Sequence, residues 1–324
     1  MKAVRIHEHG GPEVLVYEDV PKPEPGPSQA LVRIRAATVN PSDVAVREGR
    51  FPTPKQPPKI IGTDGAGVVE AVGADVTEVR PGDEVFFSGI GVGSEGSYAE
   101  YALIHEAQAV PKPAELSFAD AAALGLVFPT AYYALVTRGQ VKAGETVLVQ
   151  GGAGGVGSAS IQLAKAFGAR VITTVAGAEQ ADFVRGLGAD DIVDFKSEDV
   201  EERVAALTDG NGPDLIHELV VSVNLPVDVR MIAKKGRIVC TGQGPDPEAQ
   251  VPIGAALAKD ATLLFMSTTN AGRAGVAAIA REIAAMVVDG KVKPAVGQTL
   301  PLAEARRAHE LLEGEHVGKI VLLP

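Results

Sequence analysis

Between residues 146 and 175 the spacing of apolar positions changes twice, from a strand pattern to a helix pattern and back. Residues 146–149 are a short apolar run with β-branched residues, which favours a buried strand. A glycine-rich turn follows, and beyond it apolar residues recur at helical spacing: Val156, Ala159, Leu163 and Phe167. Residues 171–175 form a second apolar run. The pattern therefore predicts a strand–helix–strand unit.

The turn between this strand and this helix carries the motif Gly152-x-Gly154-x-x-Gly157. We expect Gly152 to permit the tight bend, Gly154 to let the main chain approach a pyrophosphate, and Gly157 to let helix and strand pack closely. Free N–H groups at the helix start, those of Gly155 and Val156 included, would hold phosphate charge together with the helix dipole. A chance glycine-rich loop is the alternative, but the flanking elements at the right spacing indicate dinucleotide binding.

Residues 1 to about 110 have the pattern of a β-rich domain. Residues 30–36 alternate with a period of two, and residues 65–73 form a glycine-flanked strand. Residues 20–27 contain too many prolines for a helix or a central strand and are expected to form a loop. Many short strands broken by glycine and proline predict a small Greek-key barrel that forms a separate domain.

From Ser117 onwards the pattern changes to alternating helices and strands. Ser117 followed by Asp120 is a capping-box signal before an apolar run. Strand-like segments then recur along the chain, at residues 147–149, 171–175, 191–194, 215–216 and 237–240. This alternation predicts an α/β fold with a doubly wound parallel sheet.

A chain of 324 residues is long for one domain and comfortable for two. Residues 318–323 form a final apolar strand, which we expect to return to the first domain. The expected organisation is a catalytic or substrate domain at residues 1–120, a dinucleotide-binding domain at 121–265 and a return segment at 266–324, which completes the catalytic domain.

Composition narrows the choice of partners. The net charge of −11 argues against nucleic acid or an anionic membrane as the main partner. The single cysteine, Cys240, excludes an internal disulfide framework and a multi-cysteine zinc site. The N-terminal sequence lacks an apolar signal core, and no uninterrupted apolar stretch reaches membrane-spanning length, so we expect a soluble cytoplasmic protein.

The motifs of both halves resemble those of one family. The chain is similar to medium-chain dehydrogenases/reductases, and specifically to zinc-free quinone oxidoreductases of the zeta-crystallin type. Besides the glycine turn, the resemblance rests on residues 37–43, 62–73, 141–149, 214–237 and 318–322, so that it extends over nearly the whole chain. It implies a β-rich GroES-like barrel domain plus a Rossmann domain. It also implies NADPH-dependent hydride transfer to a small molecule, a quinone or a related conjugated carbonyl compound.

The positions of the zinc ligands of alcohol dehydrogenase relatives hold other residues here. Asn40 stands in the region of the cysteine ligand, and Thr63-Asp64 stands where a His-Glu pair would be. The pairs His105-Glu106 and His217-Glu218 lack a third ligand at characteristic spacing. We therefore expect no zinc, and without a Lewis acid the oxidation of an alcohol is disfavoured.

The resemblance also implies which residues lie beside the nicotinamide and the substrate. Its Asn-x-x-Asp element corresponds to Asn40, which would donate a hydrogen bond to a quinone or enone oxygen, and Asp43, which would support it. A turn residue before Pro41 is the alternative for Asn40. Thr130 resembles the family threonine near the nicotinamide ring, and a helix N-terminal residue after Pro129 is its alternative.

Two positions depart from the family pattern around the substrate. Bacterial relatives commonly carry tyrosines there, whereas this chain has Ala45 and Phe51. The pocket should therefore be more apolar, with plain core packing as the alternative for Phe51. The departure leaves open an enoyl reductase acting on a thioester or polyketide-type enone. A non-catalytic NADPH-binding protein of crystallin type is a further alternative.

Cofactor choice depends on the end of the second strand. An acid there usually accepts the ribose hydroxyls of NAD, and residues 174–178 contain none, which favours NADPH. The lysine and the tyrosine that many relatives use nearby are replaced by Gln180 and Phe195, so the strength of the preference stays open. Gly242, at the carboxyl end of a later strand, is a further cofactor-binding candidate.

Residues 262–266 form an apolar run suited to the edge of the parallel sheet. Family members usually pair through that edge, so the resemblance implies a homodimer. A tetramer remains open, and an internal strand is the alternative for the run itself.

Overall fold

The computed structural model describes residues 1–51 and 53–324, which divide into two units. Unit 1 contains Met1–Pro129, Ala271–Asp289 and Pro294–Pro324, and unit 2 contains Thr130–Asn270 and Gly290–Lys293. The boundaries between the units lie near residues 129 and 270. The sequence pattern predicts them at residues 120 and 265. The first boundary is later because the helix that begins at Phe118 packs on strands of unit 1.

The strands are numbered in chain order. They are β1 Lys2–Ile6, β2 Leu15–Asp19, β3 Gln29–Val39, β4 Lys59–Ile60, β5 Asp64–Val72, β6 Glu84–Ser88, β7 Tyr101–His105, β8 Val110–Pro111, β9 Thr146–Val149, β10 Arg170–Val175, β11 Asp191–Asp194, β12 Leu215–Glu218, β13 Arg237–Cys240, β14 Thr262–Phe265, β15 Val296–Pro301 and β16 Lys319–Leu323.

The helices are numbered in the same way. They are α1 Pro41–Arg47, α2 Phe118–Leu124, α3 Val127–Tyr132, α4 Gly155–Ala166, α5 Ala178–Gly186, α6 Val200–Leu207, α7 Val221–Met231, α8 Ile253–Lys259, α9 Gly272–Val288 and α10 Ala305–Glu313. Helix α3 is followed directly by a π-helical turn at Tyr133–Arg138.

Unit 1 is built from two sheets. The larger has the order β15–β16–β3–β5–β6–β8, with β7 also pairing with β3, and the smaller has the order β2–β1–β4. The alternation predicted for residues 30–36 holds only from Val32 onwards, where Arg33 and Arg35 are exposed and Ile34 between them is buried, because Ala30 and Leu31 are both buried. Strand β16 pairs antiparallel with β3, so the last strand of the chain lies in the same sheet as this early one.

Unit 2 is a parallel sheet with the order β11–β10–β9–β12–β13–β14. A row of buried side chains crosses its centre in register, formed by Ile172, Leu148, Ile216 and Ile238. The strand order reverses between β9 and β12, and ligands of such sheets bind beyond the carboxyl ends of the strands at this reversal. The predicted doubly wound parallel sheet is confirmed.

One helical run, Phe118–Arg138, is long and apolar enough to cross a membrane by length and composition alone. The sequence pattern had indicated no stretch of that length, because charged and polar residues interrupt this one. Of its most apolar window, 67% is buried inside the protein, as in the core helix of a folded domain.

Candidate active site

The glycine turn of unit 2 runs from the end of β9 to Gly154, the N-cap of α4. Its left-handed residue is Gly151, with φ of +69°. A Cβ on Gly152 would lie 2.1 Å from Thr173 Oγ1, so Gly152 is required for close packing on β10. The left-handed conformation of the turn is at Gly151, which the sequence motif missed, and the role of Gly152 in the bend stays a prediction.

Gly154 and Gly157 differ in the space around them. A Cβ on Gly157 would lie 2.2 Å from Gly151 O, so the helix start packs directly on the turn. A Cβ on Gly154 would meet only Gly151 O, at 3.6 Å, and its outer side is otherwise open. The turn is thus closed toward the protein and open beside Gly154, where another group can approach the main chain.

The first turn of α4 supplies hydrogen-bond donors to this open side. Within residues 1–51 and 53–324, the N–H groups of Gly155, Val156 and Gly157 have no acceptor, and Gly154 has no side chain that would cap them. Three unpaired donors at the positive end of a 12-residue helix form a site for an anion. The turn therefore fits the pyrophosphate of a dinucleotide.

The turn after β10 is held by side chains from two other segments. Gln180 Oε1 accepts a hydrogen bond from Ala176 N at 2.8 Å, and Asp194 Oδ1 accepts one from Gly177 N at 3.2 Å. Backbone donation, first from Lys196 N, holds the pKa of Asp194 below its ordinary value. The sequence analysis found no acid within residues 174–178, but that result is incomplete. Asp194, the last residue of β11, lies at this turn in the folded protein. Phe195, the next residue, is 51% exposed.

Gly242 follows β13 and packs closely on the chain after β12. A Cβ there would lie 2.0 Å from Leu219 O. Gly242 also lines a cavity of about 300 Å³ at the carboxyl ends of the strands, together with Thr241, Gln243, Phe265 and Met266. The sequence pointed to this region through Gly242 alone, because the cavity walls come from four separate segments.

Thr130 lies in α3 and is nearly buried, with 7% of its surface exposed. Thr268 Oγ1 donates a hydrogen bond to Thr130 Oγ1 at 3.1 Å. This contact ties the end of α3 to the segment after β14.

In unit 1, Asn40 is fully buried between β3 and α1. Asn40 Nδ2 donates to Asp64 Oδ1 at 2.9 Å, and Asn40 Oδ1 accepts from Lys319 Nζ at 2.6 Å. The same amide nitrogen has only long contacts elsewhere, to Asp43 Oδ2 at 3.3 Å and Thr38 O at 3.4 Å. Asn40 therefore has one firmly bound N–H and one that is weakly bound.

Asp43 accepts hydrogen bonds from Thr63 Oγ1 at 2.5 Å and from Asn40 N at 3.0 Å. Burial, followed by the charge of Asp64, raises the pKa of Asp43 to about 7. Burial also raises the pKa of Asp64 and lowers that of Lys319, while the attraction between these two groups opposes both shifts. Lys319 is thus the cation whose charge lowers the pKa of both buried carboxyl groups and partly offsets the effect of burial, and the sequence motifs missed it.

A directional hydrogen-bond chain reaches Asp43 from the other side. Because a guanidinium group only donates, Arg47 Nη1 donates to His309 Nδ1 at 3.0 Å, and His309 Nε2 then carries the hydrogen. His309 donates to Tyr98 at 3.2 Å, and the Tyr98 hydroxyl donates to Asp43 Oδ2 at 3.3 Å. Burial, helped by the charge of Arg47, lowers the pKa of His309 to about 3, which agrees with a neutral ring.

The residues at the positions of zinc ligands do not fit a zinc ion. Asn40 contacts the Lys319 ammonium, Thr63 donates to Asp43, and Asp64 accepts from Thr38 Oγ1 at 2.7 Å. An ammonium group in this place repels a second cation. Over the described part of the chain, no cluster of three or more His, Cys, Asp or Glu side chains could hold a metal.

Ala45 and Phe51 are neighbours, since Phe51 N donates to Ala45 O at 3.0 Å. Phe51 is 38% exposed. The alternative that Phe51 is a core residue is therefore wrong, and the two positions form one surface without hydroxyl groups.

Two protein-family models match the chain. The alcohol dehydrogenase GroES-like domain matches residues 26–114, and the zinc-binding dehydrogenase family matches residues 155–284. The quinone oxidoreductase of Pseudomonas aeruginosa is 35% identical, and the alignment covers 100% of this chain and 99% of that protein. These matches confirm the predicted resemblance.

Solved structures are similar over the whole chain as well. The Escherichia coli quinone oxidoreductase complexed with NADPH has a TM-score of 0.92 at 30% identity, covering 100% of both chains. A structure described as an NAD-dependent alcohol dehydrogenase has a TM-score of 0.93 at 36% identity, again over 100% of both chains. The predicted combination of a GroES-like domain and a Rossmann-like parallel-sheet domain is confirmed.

Replacing the buried cation, Lys319→Met, is expected to destabilise unit 1. Loss of the ammonium leaves Val39 O and Asn40 Oδ1 without their buried donor, which costs about 1–3 kcal/mol, and it also removes the positive charge that favours ionisation of Asp43 and Asp64. The free energy of unfolding by urea, followed by circular dichroism at neutral pH, measures this change. Lys22→Met is the matched control, since Lys22 is an exposed lysine that pairs with Glu70 at the surface.

A double variant separates the charge effect from the loss of packing. Adding Asp64→Asn to Lys319→Met removes one of the uncompensated acids and should restore part of the lost stability. Equal unfolding free energies for Lys319→Met and Lys22→Met, or no gain from Asp64→Asn, would contradict the role assigned to Lys319.

Proposed function

Because the chain belongs to the quinone oxidoreductase family of medium-chain dehydrogenases/reductases, and is an NAD(P)H-dependent oxidoreductase of that type, we propose a specific reaction for it. The protein is a zinc-independent, NADPH-dependent reductase of quinones or related conjugated carbonyl compounds. One observation supports zinc independence above the others: the Lys319 ammonium donates a hydrogen bond to Asn40 Oδ1. Asn40 stands in the region where alcohol dehydrogenase relatives place a metal ligand.

The residues have the following proposed roles. The unpaired N–H groups of residues 155–157 and the open side of Gly154 hold the pyrophosphate, and bound NADPH supplies the hydride. Asn40 donates its weakly bound N–H to the acceptor oxygen, since the other N–H stays on Asp64. Asp43 supports this arrangement, and in unit 2 Thr130 is assigned to the neighbourhood of the nicotinamide ring.

Asp64 and Lys319 fix the Asn40 amide in one orientation. The ammonium can only donate, so it must face Asn40 Oδ1, and the amide nitrogen must face the two carboxyl groups. An amide held in this way needs no reorganisation when negative charge develops on an acceptor oxygen. Reduction of a conjugated carbonyl requires no further acid, because solvent can protonate the reduced oxygen.

An enoyl thioester or polyketide-type enone is the second candidate acceptor. The surface formed by Ala45 and Phe51 has no hydroxyl group and favours an apolar acceptor over one that needs hydrogen bonds. Quinones rank first as acceptors because the quinone oxidoreductase of Pseudomonas aeruginosa is 35% identical over 100% of this chain.

Oxidation of NADPH by a panel of acceptors tests this function. We expect turnover of a quinone or an enone by the purified protein, unchanged by a chelator or by added zinc. Faster turnover of an enoyl thioester than of any quinone would transfer the assignment to the second candidate. Tight NADPH binding with no turnover of any acceptor would show a non-catalytic protein, and stoichiometric zinc in the active protein would overturn zinc independence.

A glycine variant connects the turnover to the proposed pyrophosphate site. Gly154→Val fills the open side of the turn and should abolish NADPH binding. Gly186→Val is the control, because Gly186 also has open space around it but lies at the end of α5.

The preference for NADPH over NADH is part of the same proposal. The turn after β10 has no lysine for a 2′-phosphate, and it holds the Asp194 carboxylate on Gly177 N. Gln180→Lys should raise the ratio of NADH to NADPH dissociation constants about tenfold, or about 1.4 kcal/mol, through a charge-assisted contact with the phosphate. Fluorescence titration of both cofactors measures the ratio.

Gln180→Met is the control for this substitution. Both variants lose the hydrogen bond from Ala176 N to Gln180 Oε1, and only the lysine adds a charge. The same ratio in the two variants would exclude Gln180 from the neighbourhood of the 2′-phosphate. Tighter binding of NADH than of NADPH by the unaltered protein would overturn the cofactor preference itself.

We also propose a homodimer that pairs through β14. This strand is the edge of the parallel sheet, and apolar side chains near it are exposed, namely Phe265 at 61%, Ile253 at 63% and Leu257 at 72%. A second copy of the chain would cover them and continue the sheet. A cytoplasmic location without nucleic-acid or membrane partners completes the proposal.

Phe265→Asp should convert the dimer to a monomer, because it places a charge at the centre of the apolar edge. Light scattering coupled to size-exclusion chromatography gives the mass of each species. Val223→Asp is the control, as Val223 is 54% exposed on α7. A monomeric unaltered protein, or a dimer that tolerates Phe265→Asp, would contradict pairing through β14.

A further inference from the structure

Unit 2 contains two fully buried acids that the proposed reaction does not use. Glu218 is the last residue of β12, and Asp228 lies on α7, which follows it. Both side chains have no exposed surface. Burying two carboxylates side by side is unfavourable unless each charge is compensated or neutralised.

The hydrogen bonds of these acids account for one oxygen of each. Glu218 Oε1 accepts from Val220 N and from Asn224 Nδ2, the latter at 3.2 Å. Asp228 Oδ1 accepts from Gln150 Nε2 at 2.8 Å. The other oxygens, Glu218 Oε2 and Asp228 Oδ2, find no donor in the described part of the chain while both groups are ionised.

The two carboxyl groups interact directly, and a single proton shared between them would give both of these buried oxygens a hydrogen-bond partner. Burial and the charge of Glu218 raise the pKa of Asp228 well above its ordinary value. Burial also raises the pKa of Glu218, but its backbone and amide donors stabilise the ionised form. The arrangement that satisfies every atom is a protonated Asp228 that donates to an ionised Glu218.

The neighbouring titratable groups leave this assignment intact. Cys240 on β13 faces the pair, and burial raises the pKa of its thiol to about 12, so it stays neutral. His217 lies on the opposite face of β12 and contacts Ser160 Oγ at 2.8 Å. Burial lowers the pKa of His217 to about 3, so it is neutral as well.

Hydrogen bonds connect Asp228 to the glycine turn. Gln150, which donates to Asp228, accepts from Thr174 Oγ1 at 2.8 Å. Thr174 Oγ1 in turn accepts from Gly151 N at 2.9 Å. Three hydrogen bonds in sequence therefore connect Asp228 to Gly151, the left-handed residue of the turn.

On the other side, Glu218 holds the start of α7. Its contacts to Val220 N and Asn224 order this segment, and Val221 N then donates to Gly242 O at 2.9 Å. Gly242 lines the cavity at the carboxyl ends of the strands. The pair therefore lies between the pyrophosphate turn and the cavity wall, and contacts both through intermediate residues.

We propose that Glu218 and Asp228 share one proton and are positioning residues for the dinucleotide, so that loss of this proton weakens NADPH binding. The proposal rests on the proposed function in that NADPH binds at the glycine turn. With both groups ionised, repulsion between the buried carboxylates separates β12 from α7 and displaces Gln150. The turn then loses the support that its Gly151 receives through Thr174.

The direction of the pH effect follows from the raised pKa of Asp228. The shared proton is present at low pH and is lost as the pH rises through the pKa of the folded protein. If only the protonated form binds, each further pH unit raises the NADPH dissociation constant about tenfold. Stability changes in the same direction, since the folded state holds a proton that the unfolded state releases.

Amide substitutions replace the proton by a permanent N–H donor. In Asp228→Asn the new amide still accepts from Gln150 and donates to Glu218. In Glu218→Gln the new amide donates to Asp228 and still accepts from Val220 N. Both variants should bind NADPH within about twofold of the unaltered protein at neutral pH, because the hydrogen bond is kept. Asp228→Ala removes it and should weaken binding at least tenfold, a loss of about 1.4 kcal/mol.

The experiment combines NADPH fluorescence titrations with infrared spectra of the protein between pH 6 and about 10, a range that exceeds the ordinary pKa of every carboxyl group. Because the pKa of buried Asp43 is also raised, to about 7, the acid of the pair is identified by subtracting the spectrum of Asp228→Asn from that of the unaltered protein. This difference should contain the C=O band of a buried carboxylic acid. Where the band fades, the dissociation constant should rise in step, and in Asp228→Asn this rise should be absent. Glu202→Gln, an exposed acid on α6, is the control.

Three results would overturn the proposal: no carboxylic-acid band in this difference spectrum, NADPH binding lost in Asp228→Asn as in Asp228→Ala, or binding unchanged in all variants. Melting temperatures show whether Asp228→Ala binds NADPH weakly only because it unfolds. In that case Asp228→Asn would not restore NADPH binding. Failure of the unaltered protein to bind NADPH at any pH would instead overturn the proposed function.

Discussion

Burial of charge is the constraint on which both units depend, and each unit meets it differently. In unit 1 the Lys319 ammonium lies against Asn40 and compensates Asp43 and Asp64. In unit 2 a shared proton takes the place of the cation between Glu218 and Asp228. Deprotonation of Asp43, whose pKa is raised to about 7, adds a negative charge near a cation, whereas loss of the shared proton in unit 2 leaves two carboxylates that repel each other. The two clusters should therefore differ in their response to pH even though both are fully buried.

The backbone of the glycine turn depends on a different constraint, which is space. Gly152 and Gly157 have no room for a Cβ because strand, turn and helix pack against each other there. Gly151 is needed for its left-handed conformation, and Gly154 for the open side that faces away from the protein. Only one of these four glycines is therefore directly available to a ligand, and the other three keep it in position.

The local parts of this structure could be predicted from the sequence. The strand–helix–strand unit around the glycine turn depends on residues within thirty positions of one another, and its periodicity is strong. Lys319 could not be predicted as a partner of Asn40, because β16 and β3 meet only in the folded sheet. Asp194 was missed for the same reason, since it reaches the turn after β10 from the neighbouring strand. A buried acid such as Asp228 looks like any other polar residue of a helix until its burial is known.

In the proposed zinc-independent reaction, a network of side chains takes the place of a metal ion and changes what the site can do. A zinc ion polarises an oxygen directly and exchanges its ligands, so that it suits alcohols and aldehydes. The amide of Asn40 offers one neutral donor whose orientation is fixed by Lys319 and Asp64. Such a donor stabilises a delocalised charge better than a localised alkoxide, because a neutral hydrogen bond contributes less than coordination to a cation. Conjugated acceptors spread the incoming charge over several atoms, and for this reason the site suits them better than simple alcohols.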